Sequence, residues 1–145
     1  MTDFSLIPSG SRVTVDTAPI IYLLEGHAQF HKEYLPLFER IDAGDIYGVI
    51  SVIALAEVLA GPLKHGNEIL ADCYFRALAS SANWRVQGMD SELSFIAARI
   101  RVRYNLKLPD AIQVATAIQS RSIALVTHDR DFSSVDEIQV LGAGL

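Results

Sequence analysis

The sequence lacks the features that mark several large protein classes. It has a single cysteine, Cys73, so it cannot form an intrachain disulfide, which suits a reducing compartment. No apolar run approaches the roughly 18 residues of a membrane span. The start, MTDFSLIPSG, lacks the basic and apolar regions of a secretory signal. We therefore expect a cytoplasmic protein that does not enter a membrane, with Cys73 as a packing residue of a helix core.

Several enzyme motifs are absent as well. The chain has no P-loop and no GxGxxG nucleotide fingerprint. A phosphotransferase of the haloacid-dehalogenase kind needs a second aspartate two residues after Asp16, where this chain has Ala18. His27 and His31 have the spacing of a zinc-binding helix, but Ala28 stands where a metalloprotease has its glutamate. These absences argue against the common nucleotide-binding and zinc-protease classes.

Positive charge is also scarce. Lys and Arg number 12 against 17 Asp and Glu, for a net charge of −5. Taken alone, this balance argues against non-specific binding to polyanions. It fits a basic partner, or a site whose excess of carboxylates is neutralised by metal ions.

Strand-like and helix-like segments alternate along the chain. The strand-like segments are RVTVD (12–16), IYGVIS (46–51), NWRVQGM (83–89), SIALVT (122–127) and EIQVLG (137–142). Helical patterns between them imply right-handed crossovers and parallel pairing. We predict an α/β protein with a mainly parallel central sheet and helices on both faces, as one domain over residues 1–145.

One glutamate stands out within an apolar helix. In SVIALAEVLAG (51–61), Val52, Leu55, Ala56 and Leu59 have the spacing of one buried face, and Gly61-Pro62 is expected to end the helix. Glu57 is the only charge in this segment. A buried, unpaired carboxylate costs several kcal/mol, so we expect a cation or hydrogen-bond donors beside it.

Three aspartates occupy comparable places, and two of them, Asp16 and Asp110, are likewise the only charged residues of their segments. Asp16 ends the first predicted strand, Asp129 follows the fourth, and Asp110 lies in the first turn of a predicted helix. The carboxyl ends of parallel strands meet at the edge where ligands bind, so these residues should lie close together. Each also has a structural alternative: Asp16 as a helix cap, Asp110 as a favourable first-turn charge, and Asp129 as an ordinary turn residue.

Clustered carboxylates require a counter-charge, because they cannot all stay ionised without one. Oxygen ligands of this kind suit Mg²⁺, with Mn²⁺ as a substitute, rather than zinc. Such sites typically act on phosphate esters.

Four segments together resemble the motifs of a known family. VDTAPIIYLLEG, SVIALAEVLAG, LKLPDAIQVATA and LVTHDRDF, in this order, resemble those of the PIN-domain nucleases, in particular the VapC-type toxins of type II toxin–antitoxin systems. The resemblance covers a core of about residues 12–141 and implies a Rossmann-like PIN fold. It also implies a Mg²⁺-dependent ribonuclease that hydrolyses RNA phosphodiester bonds with a metal-activated water.

The resemblance also implies roles for individual residues. Asp16, Glu57, Asp110 and Asp129 become the catalytic, metal-binding set, with Asp131 as an alternative for the fourth position. Asp16 and Asp110 would bind the metal directly, while Glu57 would complete the site or position the water. The alternative function is a catalytically weak PIN-like module that binds protein or RNA.

Substrate and partner contacts are expected elsewhere. The candidate substrate-binding residues are Thr17, Thr127, Arg99, Arg103 and Lys107. The three basic residues, with Arg101, form either a phosphate-tracking edge or an ordinary solvated helix face. The resemblance implies RNA as substrate, a cognate antitoxin as protein partner, and compatibility with a homodimer. Tyr34, Phe38 and Leu63 are the candidate antitoxin contacts.

Overall fold

The structure is a computed structural model and describes residues 3–142. Its strands are β1 (Arg12–Val15), β2 (Tyr47–Ser51), β3 (Trp84–Gln87), β4 (Ala124–Val126) and β5 (Gln139–Leu141). Its α-helices are α1 (Thr17–Leu24), α2 (His31–Asp42), α3 (Val52–Lys64), α4 (Glu68–Ala79), α5 (Ser91–Tyr104) and α6 (Leu108–Gln119). Short 3₁₀ helices cover Phe4–Leu6 and Arg130–Phe132.

The five strands form one parallel sheet in the order β3-β2-β1-β4-β5. Side chains alternate between the two faces of a strand, and β4 shows that both faces are covered. Ala124 and Val126 pack in the core cluster that contains α1 and α2, whereas Leu125 packs in the cluster that contains α5 and α6. The predicted α/β fold with helices on both faces is confirmed.

Polar side chains fix where several helices begin. Asp16 caps α1, Ser51 caps α3 and Asp90 caps α5, each accepting a hydrogen bond from a backbone N–H of the first turn. At the start of α5, Leu93 N donates to Asp90 Oδ1 at 2.8 Å. Because two of these caps follow β1 and β2 directly, they also fix how α1 and α3 leave the edge of the sheet.

The predicted buried face of α3 is partly wrong. Leu55 is buried, but Val52 is 37% exposed and Ala56 is exposed as well. The helix buries Ala54, Leu55, Val58 and Pro62 instead, which turns the side of Val52 and Ala56 toward solvent. The helix also continues through Gly61-Pro62 to Lys64 rather than ending there.

Three further expectations about burial are wrong. Cys73 is exposed on α4 and is not a packing residue. Tyr34 and Phe38, expected as partner contacts, are 0% and 2% exposed because they face the sheet from α2, whereas Leu63 is exposed.

Within residues 3–142, no helix is long and apolar enough to cross a membrane.

Candidate active site

The site lies at the switch point of the sheet, beside β1, where the strands that follow along the chain are added first on one side and then on the other. β1 pairs with β2 on one side and with β4 on the other, and Val15 is in register with Val126 at their carboxyl ends. The next residues, Asp16 and Thr127, therefore emerge side by side, and Asp16 N donates to Val126 O at 2.8 Å. Open parallel sheets bind ligands at such a switch point.

Asp16 is held by three hydrogen-bond donors. Its Oδ1 accepts from Thr17 N at 2.8 Å and from Gln113 Nε2 at 2.7 Å. Its Oδ2 accepts from Thr127 Oγ1 at 2.8 Å. Asp16 is thus the helix cap that the structural alternative predicted, and its carboxylate is also fixed in one orientation at the edge of the sheet.

Gln113 is a site residue that sequence reasoning missed. It is 3% exposed, and its Oε1 accepts from Ser51 Oγ at 2.6 Å while its Nε2 donates to Asp16. Ser51 Oγ in turn accepts from Ala54 N at 3.0 Å in the first turn of α3. One amide therefore joins the end of β1 to the start of the helix that carries Glu57. The available signal was a glutamine one turn after Asp110 in an otherwise apolar helix.

Asp110 lies in the first turn of α6, directly after Pro109. Partial burial is the main cause that raises the pKa of Asp110 to about 6. The carboxylates of Asp129, Asp16 and Asp131 add to this rise in pKa, in that order. Four acidic groups thus crowd one region, and the resulting repulsion favours either protonation or a bound cation.

Asp129 and Asp131 both belong to this acidic group. One carboxylate oxygen from each can lie, with one from Asp110, within 4.8 Å of the others. Asp129 lines the cavity and caps the 3₁₀ helix, accepting from Asp131 N at 2.9 Å. Both aspartates are exposed, so the choice between them for the fourth position stays open.

Glu57 faces the same cavity but is not buried. The residue is exposed and lines the cavity wall. Partial desolvation in the wall, and then the charge of Asp16, raises the pKa of Glu57. The expectation of a buried glutamate in a core helix is wrong, because the charge-free side of α3 around Ala56 faces solvent. The carboxylate nevertheless reaches the acidic cavity.

The cavity has a volume of about 910 Å³ and brings together the four predicted acidic residues. Its lining is completed by polar and aromatic side chains from α1, the α1–α2 turn and the loop after β4. The acidic members are Asp16, Glu57, Asp110 and Asp129. Their roles as metal ligands stay a prediction, but their convergence from four separate segments is a property of the fold.

The predicted substrate contacts are distributed unevenly. Thr17 lines the cavity, and its Oγ1 is buried without a hydrogen-bond partner in the described part of the chain. Thr127 is 0% exposed, and its hydroxyl donates to Asp16 and accepts from Asp129 N at 3.1 Å. The placement of Thr127 indicates that its hydroxyl positions the acidic residues and does not contact substrate.

The basic residues of α5 lie outside the cavity. Arg103 pairs with Glu137 and Asp136, and Arg99 lies over the ring of Phe95 at 5.1 Å. Lys107 is close enough to Asp110 for its charge to oppose the rise of the Asp110 pKa. Among residues 3–142, the cavity lining includes none of the three predicted basic contacts.

A different cation lines the cavity. Arg130, in the loop after β4, contributes to the wall beside Asp129. Sequence reasoning passed over it because it stands between two aspartates in HDRDF, where a charge reads as part of a solvated turn. It brings a positive group to the acidic cavity from within the chain.

The family model of the PIN domain matches residues 13–138. This chain belongs to the PIN domain family. The match spans β2, β3, β4 and all of β1 but Arg12, and it ends one residue before β5. It includes every acidic residue of the cavity, so four strands and the site of this PIN domain lie in the matched segment.

Solved structures resemble this PIN domain over most of its length. A toxin–antitoxin complex from Klebsiella pneumoniae is 26% identical, with a TM-score of 0.67 over 89% of this chain and 95% of that one. VapBC2 from Rickettsia felis, bound to a DNA fragment from its promoter, is 17% identical (TM-score 0.67, 91% and 98%). VapC20 from Mycobacterium tuberculosis, a toxin that cleaves the sarcin–ricin loop, is 18% identical (TM-score 0.67, 84% and 93%). The last two likenesses show the fold alone.

A short relative comes from Archaeoglobus fulgidus. This uncharacterized protein is 57% identical over 42 residues, which are 29% of this chain and 66% of the relative. The likeness to this relative is therefore local.

Proposed function

We propose that this PIN-domain protein is a Mg²⁺-dependent endoribonuclease and the toxin of a type II toxin–antitoxin pair. The observation that carries the proposal is the convergence of Asp16, Glu57, Asp110 and Asp129 in one cavity at the switch point of the sheet. The likeness to the Klebsiella pneumoniae toxin–antitoxin complex supports the toxin role and a cognate antitoxin as partner. The proposal includes a cytoplasmic location and a single PIN domain over residues 1–145.

The donor set fits a hard divalent cation. All the candidate ligands are carboxylate oxygens, three of which can lie within 4.8 Å of one another. Mg²⁺ and Mn²⁺ prefer such ligands. Burial and then the neighbouring carboxylates raise the pKa of Asp110, and a bound cation offsets both effects by stabilising the ionised form. Asp16, Asp110 and Asp129 would hold the ion, with Glu57 in the wall of the same cavity and Asp131 as a further candidate.

A bound Mg²⁺ would supply activation of water and neutralisation of charge on the phosphate. The chain's own residues prepare the site for this. Gln113 and Thr127 hold the two oxygens of Asp16 in place, and Glu57, in the cavity wall, would orient a water or accept its proton. Preorganised acidic groups of this kind need no rearrangement when the phosphate arrives.

Cleavage of a closed circular single-stranded RNA tests the enzymatic part of the proposal, because only an endonuclease can open it. The protein should linearise the circle in Mg²⁺ and lose this activity in excess EDTA. Asp16→Asn should abolish cleavage yet preserve folding, since the amide still accepts hydrogen bonds at Oδ1. Asp42→Asn, on the exposed end of α2, is the matched control and should cleave normally.

The same two variants test the biological part. Expression of the wild-type protein and of Asp42→Asn in a bacterial host should arrest growth, whereas Asp16→Asn should not. Co-expression of the product of a small neighbouring gene should relieve the arrest if that gene encodes the antitoxin. Cleavage that survives Asp16→Asn or EDTA would show that the acidic cavity is not the nuclease centre.

A further inference from the structure

Three aromatic side chains form one wall of the acidic cavity. These are Tyr22 of α1, Phe30 of the α1–α2 turn and His128 of the loop after β4, referred to below as the aromatic wall. Ring centroids are 4.2 Å apart for Phe30 and His128, 5.1 Å for Tyr22 and Phe30, and 5.4 Å for Tyr22 and His128. Each residue is partly exposed, so the wall presents ring surface to whatever occupies the cavity.

Phe30 is fixed by a local turn rather than by burial. His27 Nδ1 accepts hydrogen bonds from Gln29 N at 3.2 Å and Phe30 N at 3.1 Å. The His27 ring also stacks on Phe30, with centroids 5.0 Å apart and an interplanar angle of 16°. This bonding explains His27 as a turn residue instead of a zinc ligand, and it holds one ring of the wall in a defined orientation.

His128 is anchored from behind the wall. Its Nδ1 lies 2.7 Å from the hydroxyl of Tyr34, which is 0% exposed and also lies 3.3 Å from Thr127 O. A hydroxyl has one hydrogen, so both contacts are satisfied together when Tyr34 donates to Thr127 O and accepts from His128 Nδ1–H. In this tautomer Nε2 of neutral His128 is the nitrogen left to accept a hydrogen bond from a ligand.

From this wall we infer a nucleobase-stacking subsite, in which the rings of Tyr22, Phe30 and His128 receive one base of the bound RNA. The inference rests on the proposed nuclease function. Bases in single-stranded RNA stack on Phe, Tyr and His rings, whereas bases paired in a helix do not present their faces. The acidic residues and Arg130 line the same cavity, so a phosphate held there places its attached nucleoside beside the rings.

Non-cleavable ligands separate the base from the phosphate. Adenosine 5′-monophosphate and adenosine 3′-monophosphate carry a base, whereas ribose 5-phosphate carries only sugar and phosphate. Each should be titrated by calorimetry into the protein in Mg²⁺. One of the two nucleotides should bind about 5- to 150-fold more tightly than ribose 5-phosphate, which is the range expected for one stacked base. Which nucleotide binds better shows on which side of the phosphate the wall acts.

Variants of Phe30 assign the effect to the wall. Phe30→Leu keeps apolar volume but removes the ring, so it should abolish the advantage of the nucleotide and leave the affinity for ribose 5-phosphate unchanged. Phe30→Tyr should retain the advantage. Phe95→Leu, which removes an exposed ring on α5 far from the wall, is the matched control and should behave as wild type. Tyr22→Leu replaces Phe30→Leu if thermal melting shows that the latter is unfolded.

The outcomes distinguish this inference from the proposed function. A protein that cleaves RNA but binds the nucleotides and ribose 5-phosphate equally has no base subsite, and the inference is overturned while the nuclease stands. An advantage that survives both Phe30→Leu and Tyr22→Leu also overturns it. A nucleotide advantage that depends on Phe30 in a protein that does not cleave RNA supports the wall and refutes the nuclease.

Discussion

In the metal-free protein, the ionised Asp110 carboxylate should lower the free energy of unfolding. The rise of its pKa from 3.8 to about 6 corresponds to about 3 kcal/mol if the whole shift acts on folding. Asp110 remains in contact with water, and screening reduces this to roughly 1.5 kcal/mol. Asp110→Asn also loses a favourable first-turn charge, worth about 0.5 kcal/mol. The variant should therefore be more stable than wild type at pH 7 by about 1 kcal/mol.

The sign of the pH dependence follows from the direction of the shift. A carboxyl whose pKa is higher in the folded chain than in the unfolded chain binds protons preferentially when folded. The contribution of Asp110 to the free energy of unfolding should therefore fall as the pH rises from about 4 to about 6. Asp110→Asn lacks this group, so its advantage should be complete above about pH 6 and absent near pH 4.

Thermal unfolding in EDTA at pH 7 and at pH 4 measures this prediction. At pH 7 the melting temperature of Asp110→Asn should lie about 3 °C above that of the wild type. Glu92→Gln is the matched control, since it removes a first-turn acid of α5 that is exposed and outside the acidic cavity. It should lower the melting temperature slightly. A decrease for Asp110→Asn at pH 7, or an increase that persists at pH 4, would refute the argument that burial and the neighbouring carboxylates make the charged Asp110 destabilising.

Substitutions at two other positions test the supports of the site and of the sheet. Gln113→Leu removes both hydrogen bonds of a buried amide, so it should destabilise the fold by about 1–2 kcal/mol and reduce RNA cleavage. Gln113→Glu should lower both the stability and the cleavage further, because it places a second carboxylate beside Asp16. Gly48→Ala would bring a Cβ within 2.6 Å of the Trp84 ring, and such overpacking should cost about 1–3 kcal/mol in denaturant unfolding. In a Trp84→Leu background, Gly48→Ala should cost much less stability, because the Trp84 ring that the new Cβ would meet is gone. Equal stability of Gly48→Ala and wild type would contradict the close approach of Gly48 to Trp84.

The sequence was sufficient to locate three aspartates of the site because their placement depends on strand direction alone. Asp16 and Asp129 follow neighbouring parallel strands, and Asp110 opens a helix whose first turn lies at the same edge. In each case the argument needs only that parallel strands end together. The precise register that makes Asp16 and Thr127 neighbours is set by long-range pairing of β1 with β4, which a local pattern does not contain.

Glu57 was found for a reason that proved wrong. The absence of other charges between Val52 and Leu63 predicts burial, but one side of that helix is apolar and exposed, with Val52 at 37% and Leu63 at 44%. An apolar sequence does not distinguish a helix face that is buried in the core from one that is exposed to solvent in the single chain. Glu57 reaches the cavity because Ser51 starts α3 directly at the end of β2, so its position depends on the cap rather than on the surrounding apolar residues.

The missed residues act through contacts between distant segments. Gln113 is read in sequence as a polar residue on a helix surface, yet α6 is covered on all sides and the amide is buried between β1 and α3. Phe30 and His128 are nearly one hundred positions apart and meet only because the α1–α2 turn folds over the loop after β4. Such contacts follow from the tertiary structure and have no periodic signal along the chain.

The carboxylates of the cavity are of two physical kinds, and this difference bears on how a cation would be held. Both oxygens of Asp16 accept hydrogen bonds from neutral donors that fix its orientation. Asp110 instead is partly buried and faces other carboxylates, and its burial and then their charges raise its pKa. A site made only of fixed carboxylates would have little to gain from a cation, and one made only of repelling carboxylates would have no defined geometry. The combination places one oriented ligand beside a group whose charge is stabilised when the cation arrives, so metal binding should order the acidic loop around Asp129 and Asp131 more than it moves Asp16.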